Sequence, residues 1–159
     1  MKVIVPFAVS EHSWALAATQ LSLRQDGVEA QFEQMRGVED YFTLFARHWE
    51  QGETFTIVEH DIVPWPGALQ ELENCSGLWC TLPYYCSVGW IRDGLGATKF
   101  SADLMKQFPN FLQAPFPDCC AHTRHYCGLD RLIAHRMMEL GIEPHVHQPG
   151  VVNLNSKWT

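Results

Sequence analysis

The sequence predicts an α/β protein of one domain, with helices on the faces of a largely parallel sheet. Three observations predict it. Apolar, β-prone segments alternate with segments of helical period through the first sixty residues, giving β-α-β-α-β, and such alternation builds parallel sheets. The third strand, Phe55-Thr56-Ile57-Val58, runs into Glu59-His60-Asp61 and is stopped by Pro64 and Pro66, which cannot donate to a ladder. The chain has 159 residues, enough to bury one substantial core.

Val3-Ile4-Val5 is a short apolar strand closed by Pro6, and Ser10 is placed to cap a helix whose inner face carries Trp14, Ala17, Ala18 and Leu21. After Gly27, Val28, Ala30 and Phe32 alternate with polar residues up to Met35, the pattern of a half-exposed or edge strand. Val38, Tyr41, Phe42, Phe45 and Trp49 recur at helical spacing, and Gly52 is placed to end that helix. Beyond the acid-ended strand, Pro66 can open a short helix with Leu69 and Leu72 inward. Gly77 then precedes another apolar strand, Leu78-Trp79-Cys80-Thr81-Leu82.

Pro83 to Gly96 has the composition of a loop, in which Tyr84, Tyr85 and Trp90 suit a sugar or base face, or a lid packed over the core. Ser101 can cap a helix through Leu104, Met105 and Phe108 that ends at Pro109. An irregular segment with Pro115 and Pro117 follows. Leu129, Leu132, Ile133, Met137 and Leu140 then form the buried stripe of a helix closed by Gly141, with Asp130 at its amino end. An acid there stabilises the helix by ~0.3–1 kcal/mol whether or not it catalyses anything. The tail from Ile142 to Asn155 is extended and puts His145 and His147 on one side of the strand.

Charge and composition narrow the function. Eighteen acidic against eleven basic residues give a net charge of -7, which opposes the sequence-independent phosphate binding that dominates most nucleic-acid affinity. No apolar run approaches the ~20 residues of a membrane span, and Met1-Lys2-Val3 reads as the start of a strand, so a cytoplasmic location is expected. The six cysteines are expected to be free thiols or metal ligands. Cys119-Cys120-Ala121-His122, His125 and Cys127 form a dense cluster without Cys-x-x-Cys spacing, and a zinc-binding interaction module centred there is one rival reading.

On an extended backbone Glu59 and Asp61 would share one side, with His60 on the other. Two carboxylates at a strand's carboxyl end suit a divalent cation with oxygen ligands, and ligands of open α/β sheets bind at that edge. An acidic strand-to-turn junction at the surface would read the same. His147, with His145 as second candidate, could complete a shell begun by Asp61.

In order and spacing, from residue 3 to about 155, these pieces resemble a small glycosyltransferase of the GT-A type, family 2-like. The resemblance implies a single GT-A-like three-layer α/β/α domain. Residues 1–64 would be its nucleotide-sugar and metal half, and residues 65–159 its acceptor half with a metal-binding tail. Glu59-His60-Asp61 stands where the family has its Asp-x-Asp motif; Glu replaces the first Asp, so Asp61 is the firmer metal ligand. Gly94-Leu95-Gly96-Ala97-Thr98-Lys99-Phe100 is similar to the family's glycine loop, Leu129-Asp130 to its helix-heading general base, and His147 to its C-terminal metal-binding histidine.

On this resemblance Asp130 is catalytic, and Asp61, His147 and Glu59 hold Mn²⁺ or Mg²⁺, a histidine ligand favouring Mn²⁺. Pro6, Phe7 and Ala8, with Glu59 and His60, would bind the nucleotide-sugar donor. Tyr84, Tyr85, Trp90, Gly94 and Gly96 would bind the acceptor. The acceptor is a hydroxyl on a glycan, a small molecule or a hydroxylated base of modified viral DNA, the compact size suiting a viral or mobile-element gene. A DNA acceptor would need Arg92, Lys99, Lys106, Arg124, Arg131 and Arg136 on one face. A metal-dependent phosphoesterase using the Asp61 shell is the second rival.

Overall fold

The computed structural model describes residues 1–8, 13–37, 39–87, 89–113 and 128–154. The expected lead-in is present as β1 (Lys2–Ala8), α1 (Ser13–Gln25), β2 (Ala30–Met35), α2 (Asp40–Gln51) and β3 (Phe55–Val58). There follow β4 (Ile62–Pro64), α3 (Ala68–Asn74), β5 (Trp79–Thr81), β6 (Tyr84–Cys86), β7 (Gly89–Ile91) and β8 (Ala97–Phe100). The described chain closes with α4 (Ala102–Gln107), α5 (Leu129–Glu139), β9 (His145–Val146) and β10 (Val151–Asn153).

Six strands form one sheet in the order β2-β1-β3-β8-β5-β9. β1 is parallel to β2 and β3, and β5 to β9; β8 alone runs against its neighbours β3 and β5. Alternation along the strands divides the core between two faces. Ile4, Phe55, Ile57, Trp79 and Phe100 face α2, α4 and α5, while Val3, Val5, Val58, Cys80 and Ala97 pack with Leu23 of α1 and Leu69 and Leu72 of α3. The result is three layers. Phe45 of α2 anchors the first face, edge-on to Phe55 at 5.6 Å and Phe100 at 5.1 Å and stacked against Trp49 at 5.7 Å.

Gly52 ends α2 at φ +68°, a left-handed conformation that favours glycine. Ser101 Oγ accepts from the Leu104 N–H at 3.1 Å, the expected cap of α4. β2 lies at the sheet edge, as its polar alternation predicts.

Several expectations are corrected. Pro6 does not close β1, which continues to Ala8; the β3 side of the ladder ends at Ile4, so beyond it a residue without an N–H is tolerated. The inner face of α1 carries Ala15, Thr19 and Leu23, whereas Trp14 and Leu21 are exposed. A threonine on that face hides the true stripe from a count of apolar residues. The acid-ended strand is two strands, β3 and β4, joined by a turn at His60 and Asp61, and β4 pairs with β10 outside the main sheet. The segment from Pro83 to Gly96 is not all loop: β6 and β7 pair as a hairpin with Tyr85 opposite Trp90. Leu140 lies past the end of α5 and is exposed. Ser10, Val38 and the cluster Cys119, Cys120, His122, His125 and Cys127 lie outside the described residues.

Candidate active site

β3 delivers Glu59 to the carboxyl edge of the sheet, and the turn that follows is fixed by hydrogen bonds on three sides. The Glu59 carbonyl accepts from the Ile62 N–H at 3.0 Å, the Asp61 carbonyl accepts from the Leu154 N–H at 2.8 Å, and the Glu59 N–H donates to Gly96 O at 2.8 Å. Beneath the turn, Thr19 Oγ1 lies 2.9 Å from the carbonyl oxygen of His60 and 3.0 Å from that of Ile62. Thus α1, the Gly94–Gly96 turn and the C-terminal tail hold Glu59 and Asp61 between them. Tyr41 of α2 donates its hydroxyl to Glu59 Oε1 at 3.2 Å.

The electrostatics identify the neighbours. Burial, then the charges of Asp130 and Asp61, hold the Glu59 carboxyl well above the usual carboxylate range, against the Tyr41 hydrogen bond, which lowers it. Asp130, in the first turn of α5, is pushed up to about 6, mainly by burial and further by Asp93 and Asp61. The Leu95 N–H opposes that shift by bonding to its carboxylate. The Tyr84 hydroxyl is raised by burial and by Glu59, Asp130 and Asp61 in turn. These groups meet at a cleft of about 430 Å³ lined by Glu59, Tyr84, Asp93, Gly94, Asp130, Arg131 and Asn153. A second cavity, of about 820 Å³, shares Asp93, Arg131 and Ala134 with it and extends past Trp90 and Arg92.

No protein-family model and no curated protein matches this sequence. Solved structures do match the chain in three dimensions. A glycosyltransferase involved in the glycosylation of the major capsid of PBCV-1 superposes with a TM-score of 0.54 over 99% of this chain and 95% of its own, at 9% identity. A putative glucose-1-phosphate thymidylyltransferase from Bacillus anthracis does so with a TM-score of 0.58 over 99% and 91%, at 9% identity. The chain has a GT-A-like fold. A197 from STIV also matches, with a TM-score of 0.56 over 93% of this chain and 82% of that one, at 14% identity. Identities this low establish a common fold and leave the chemistry to be argued from the chain's own residues.

Within the GT-A-like fold, Asp130 and Asp61 are brought close enough to raise Glu59, and Asp61 close enough to raise Asp130. Pro6, Phe7 and Ala8 are the last residues of β1, parallel to β3, so they stand on the same carboxyl edge but in a strand, not in a loop. The His60 side chain is buried, and its Nδ1 has no hydrogen-bond partner among the described residues. Tyr85 and Trp90 are exposed on the β6–β7 hairpin, their rings edge to face at 5.8 Å. Tyr84 is buried, and Gly94 and Gly96 make room for its ring: a Cβ on Gly96 would stand 2.4 Å from Tyr84 Cε1. The two glycines therefore shape the wall of the cleft.

His147 is elsewhere. It follows β9, which is separated from β3 by β8 and β5, about 14 Å at three strand spacings of ~4.8 Å. Its company is Cys75, Cys80 and His145, not Asp61, and the argument for Mn²⁺ over Mg²⁺ goes with it. The position beside the acids is taken by Asn153 of β10, which reaches the cleft because the tail turns back along β4. Lys99 is buried and donates to the Cys75 carbonyl, so it takes no part in a basic surface strip. Asn153, Asp93, Tyr41 and Thr19 were not foreseen as site residues; each arrives by a long-range packing contact that no local motif encodes. Among the described residues no helix is long and apolar enough to cross a membrane.

Proposed function

We propose that this protein is a metal-dependent glycosyltransferase that moves a sugar from a nucleotide-sugar donor to a hydroxyl acceptor. The observation that carries the reading is the meeting of Glu59 and Asp130 in one cleft at the carboxyl edge of a GT-A-like sheet, where binding sites of open α/β sheets lie, with Asp61 near enough for its charge to act on both.

The donor set fits a hard divalent cation. It consists of carboxylate oxygens, and burial with the charges of Asp130 and Asp61 leaves Glu59 raised, as an acid that gains from a cation would be. An ion there would be held by one or two carboxylates and completed by substrate phosphates. Asp61 and Glu59 would hold Mn²⁺ or Mg²⁺, which when bound supplies Lewis-acid stabilisation of the departing diphosphate.

The remaining work falls to the chain. Asp130, with its pKa near 6, is a stronger base than an ordinary aspartate and still ionised at neutral pH, as removal of a proton from an acceptor hydroxyl requires. The Leu95 N–H fixes the orientation of its carboxylate. Pro6 to Ala8 and His60 would border the donor, and the cavity past Trp90 and Arg92 has room for an acceptor, with Trp90 in its wall and Tyr85 against Trp90 as faces for a sugar ring or a base.

The test is a thermal-shift panel of UDP-, GDP-, CMP- and dTDP-sugars, each with and without Mn²⁺. A shift that requires both donor and metal supports the reading. A shift with a nucleoside triphosphate and a sugar phosphate, but with no nucleotide sugar, would replace it with nucleotidyl transfer. Hydrolysis of simple phosphoesters without a sugar donor would replace it with a phosphoesterase.

A further inference from the structure

A second cluster lies on the opposite flank of the sheet from the acids. Cys75 follows α3, Cys80 is in β5, His145 is in β9 and His147 follows it. One ligand atom from each, two thiol sulfurs and two ring nitrogens, lies within 4.8 Å of every other. We infer that Cys75, Cys80, His145 and His147 form a Cys₂His₂ site for a tetrahedral metal ion, zinc by its ligand chemistry, which fastens the C-terminal tail to the sheet.

Several independent features support the site. β5 and β9 are parallel with Cys80 directly beside His145, so the ladder itself sets a thiol next to an imidazole. The His147 N–H donates to Thr81 O at 3.0 Å, continuing that pairing by one more step. The two imidazoles lie with ring centroids 4.7 Å apart, and Cys75 Sγ is 3.0 Å from His145 Nδ1. A zinc ion with Zn–S of about 2.3 Å and Zn–N of about 2.0 Å has ligand-to-ligand edges of roughly 3.3–3.8 Å, so the two sulfurs, 2.7 Å apart without the ion, would separate by about 1 Å through side-chain rotation to admit it. His147 Nε2 is buried and makes no hydrogen bond to the described protein.

The surroundings act on the thiols in both directions: burial and the Cys75 thiol push Cys80 up to about 12, and the Lys99 charge opposes that shift. The Gly77 N–H donates to Cys75 Sγ at 3.4 Å, and the Lys99 ammonium is fixed beside the pair by its bond to the Cys75 carbonyl. Gly77 can be nothing larger without rearrangement, since a Cβ there would lie 2.9 Å from Cys80 Sγ and 3.4 Å from Cys75 Sγ. Two sulfurs and two imidazoles select a soft or borderline ion and a tetrahedral geometry, and four protein ligands leave no open position, which marks a structural site. β9 is only two residues long and lies at the sheet edge, and from it the tail runs on to Asn153 at the cleft. A metal staple would hold a strand that its own ladder holds weakly.

The experiment uses the full chain, stripped with chelator under reducing conditions and titrated with Co²⁺. The expected result is uptake of one equivalent, with the intense visible bands of tetrahedral cobalt and a thiolate-to-cobalt charge-transfer band. Zn²⁺ should displace the ion and raise the melting temperature. Cys75→Ser with Cys80→Ser should abolish uptake, while Cys119→Ser with Cys120→Ser and Cys127→Ser should leave it unchanged. If the first variant does not fold, His147→Cys decides the matter: three thiolates in place of two should raise the charge-transfer intensity by about half. Four outcomes overturn the inference: no stoichiometric uptake by reduced wild type, uptake lost only in the Cys119 triple variant, an unchanged spectrum in His147→Cys, or a Cys75–Cys80 disulfide in the folded chain under the same reducing conditions. Because no acid of the cleft contributes, Asp61→Ala should leave the cobalt spectrum intact, which separates this site from the donor site.

Discussion

The backbone N–H of Glu59 donates to the carbonyl oxygen of Gly96 across 2.8 Å, so the acid after β3 and the glycine turn before β8 form one hydrogen-bonded unit. Tyr84 lies against that turn, and a Cβ on Gly96 would stand 2.4 Å from its ring, closer than real Cβ contacts allow. Gly96→Ala should therefore force the ring or the turn to move, at a cost of about 1–3 kcal/mol, visible as a lower urea midpoint. The double variant Gly96→Ala/Tyr84→Leu should recover part of the loss. Strict additivity of the two changes would mean that the clash is not the cause.

Removing charge from the acid cluster should have opposite effects on stability and on function. Glu59 is crowded by Asp130 and Asp61, so Glu59→Gln in metal-free buffer should raise stability by about 0.5–2 kcal/mol and abolish the additional stabilisation by Mn²⁺ with donor. Asp130→Asn should keep that ligand-dependent stabilisation and lower transfer by ~10²–10⁴-fold. Differential scanning calorimetry and a single-turnover transfer assay read the two effects separately.

How much of this could be read from the sequence depends on whether the signal is local. The β-α-β-α-β order, the aromatic stripe of α2 and the Ser101 cap are local, and the structure matches them. The helix-heading position of Asp130 is local too, because the stripe Leu129, Leu132, Ile133 and Met137 fixes the start of α5. The inner face of α1 is not legible in its apolar residues, since Thr19 is buried with its hydroxyl against a turn more than forty residues away. His147 meets Cys75, Cys80 and His145 instead of Asp61 for the same reason. His145 and His147 do share a side, but what they face is set by β9 joining β5, and a two-residue strand carries no pattern that announces its neighbour. The thiols that meet them, Cys75 and Cys80, are some seventy residues away in the chain and looked unremarkable beside the denser cluster at 119–127.

Thr19 offers a way to disturb the acidic turn without touching an acid. Its hydroxyl is buried within hydrogen-bond reach of the His60 and Ile62 carbonyls, which flank Asp61. Thr19→Val preserves shape and removes the donor, leaving buried carbonyls unsatisfied at a cost of about 1–3 kcal/mol. Because those carbonyls hold the turn, Mn²⁺-dependent donor binding should weaken as well, while Thr19→Ser should restore both. A Val variant that loses stability yet binds donor as tightly as wild type would show that the turn is held without Thr19.

His48 should make stability depend on pH at a place remote from the cleft. It is buried in α2; its Nδ1 lies 3.1 Å from Gln51 Oε1, and its Nε2 is buried 3.8 Å from Glu33 Oε1, with no hydrogen bond among the described residues. Burial first, then the charges of Lys2 and Arg47, hold its pKa below the ordinary 6.5. In the unfolded chain the imidazole takes up a proton near pH 6.5, whereas the folded protein resists until the lower folded value is reached. Between those two values the unfolded state binds more protons, so stability must fall as pH falls. His48→Gln removes this titration, and its stability should decline less than that of wild type between about pH 7 and about pH 5.5 in urea melts. Because carboxylates and the other histidines titrate alike in both proteins, the difference between the curves isolates His48. Parallel curves would mean that the folded and unfolded states hold the His48 proton equally well.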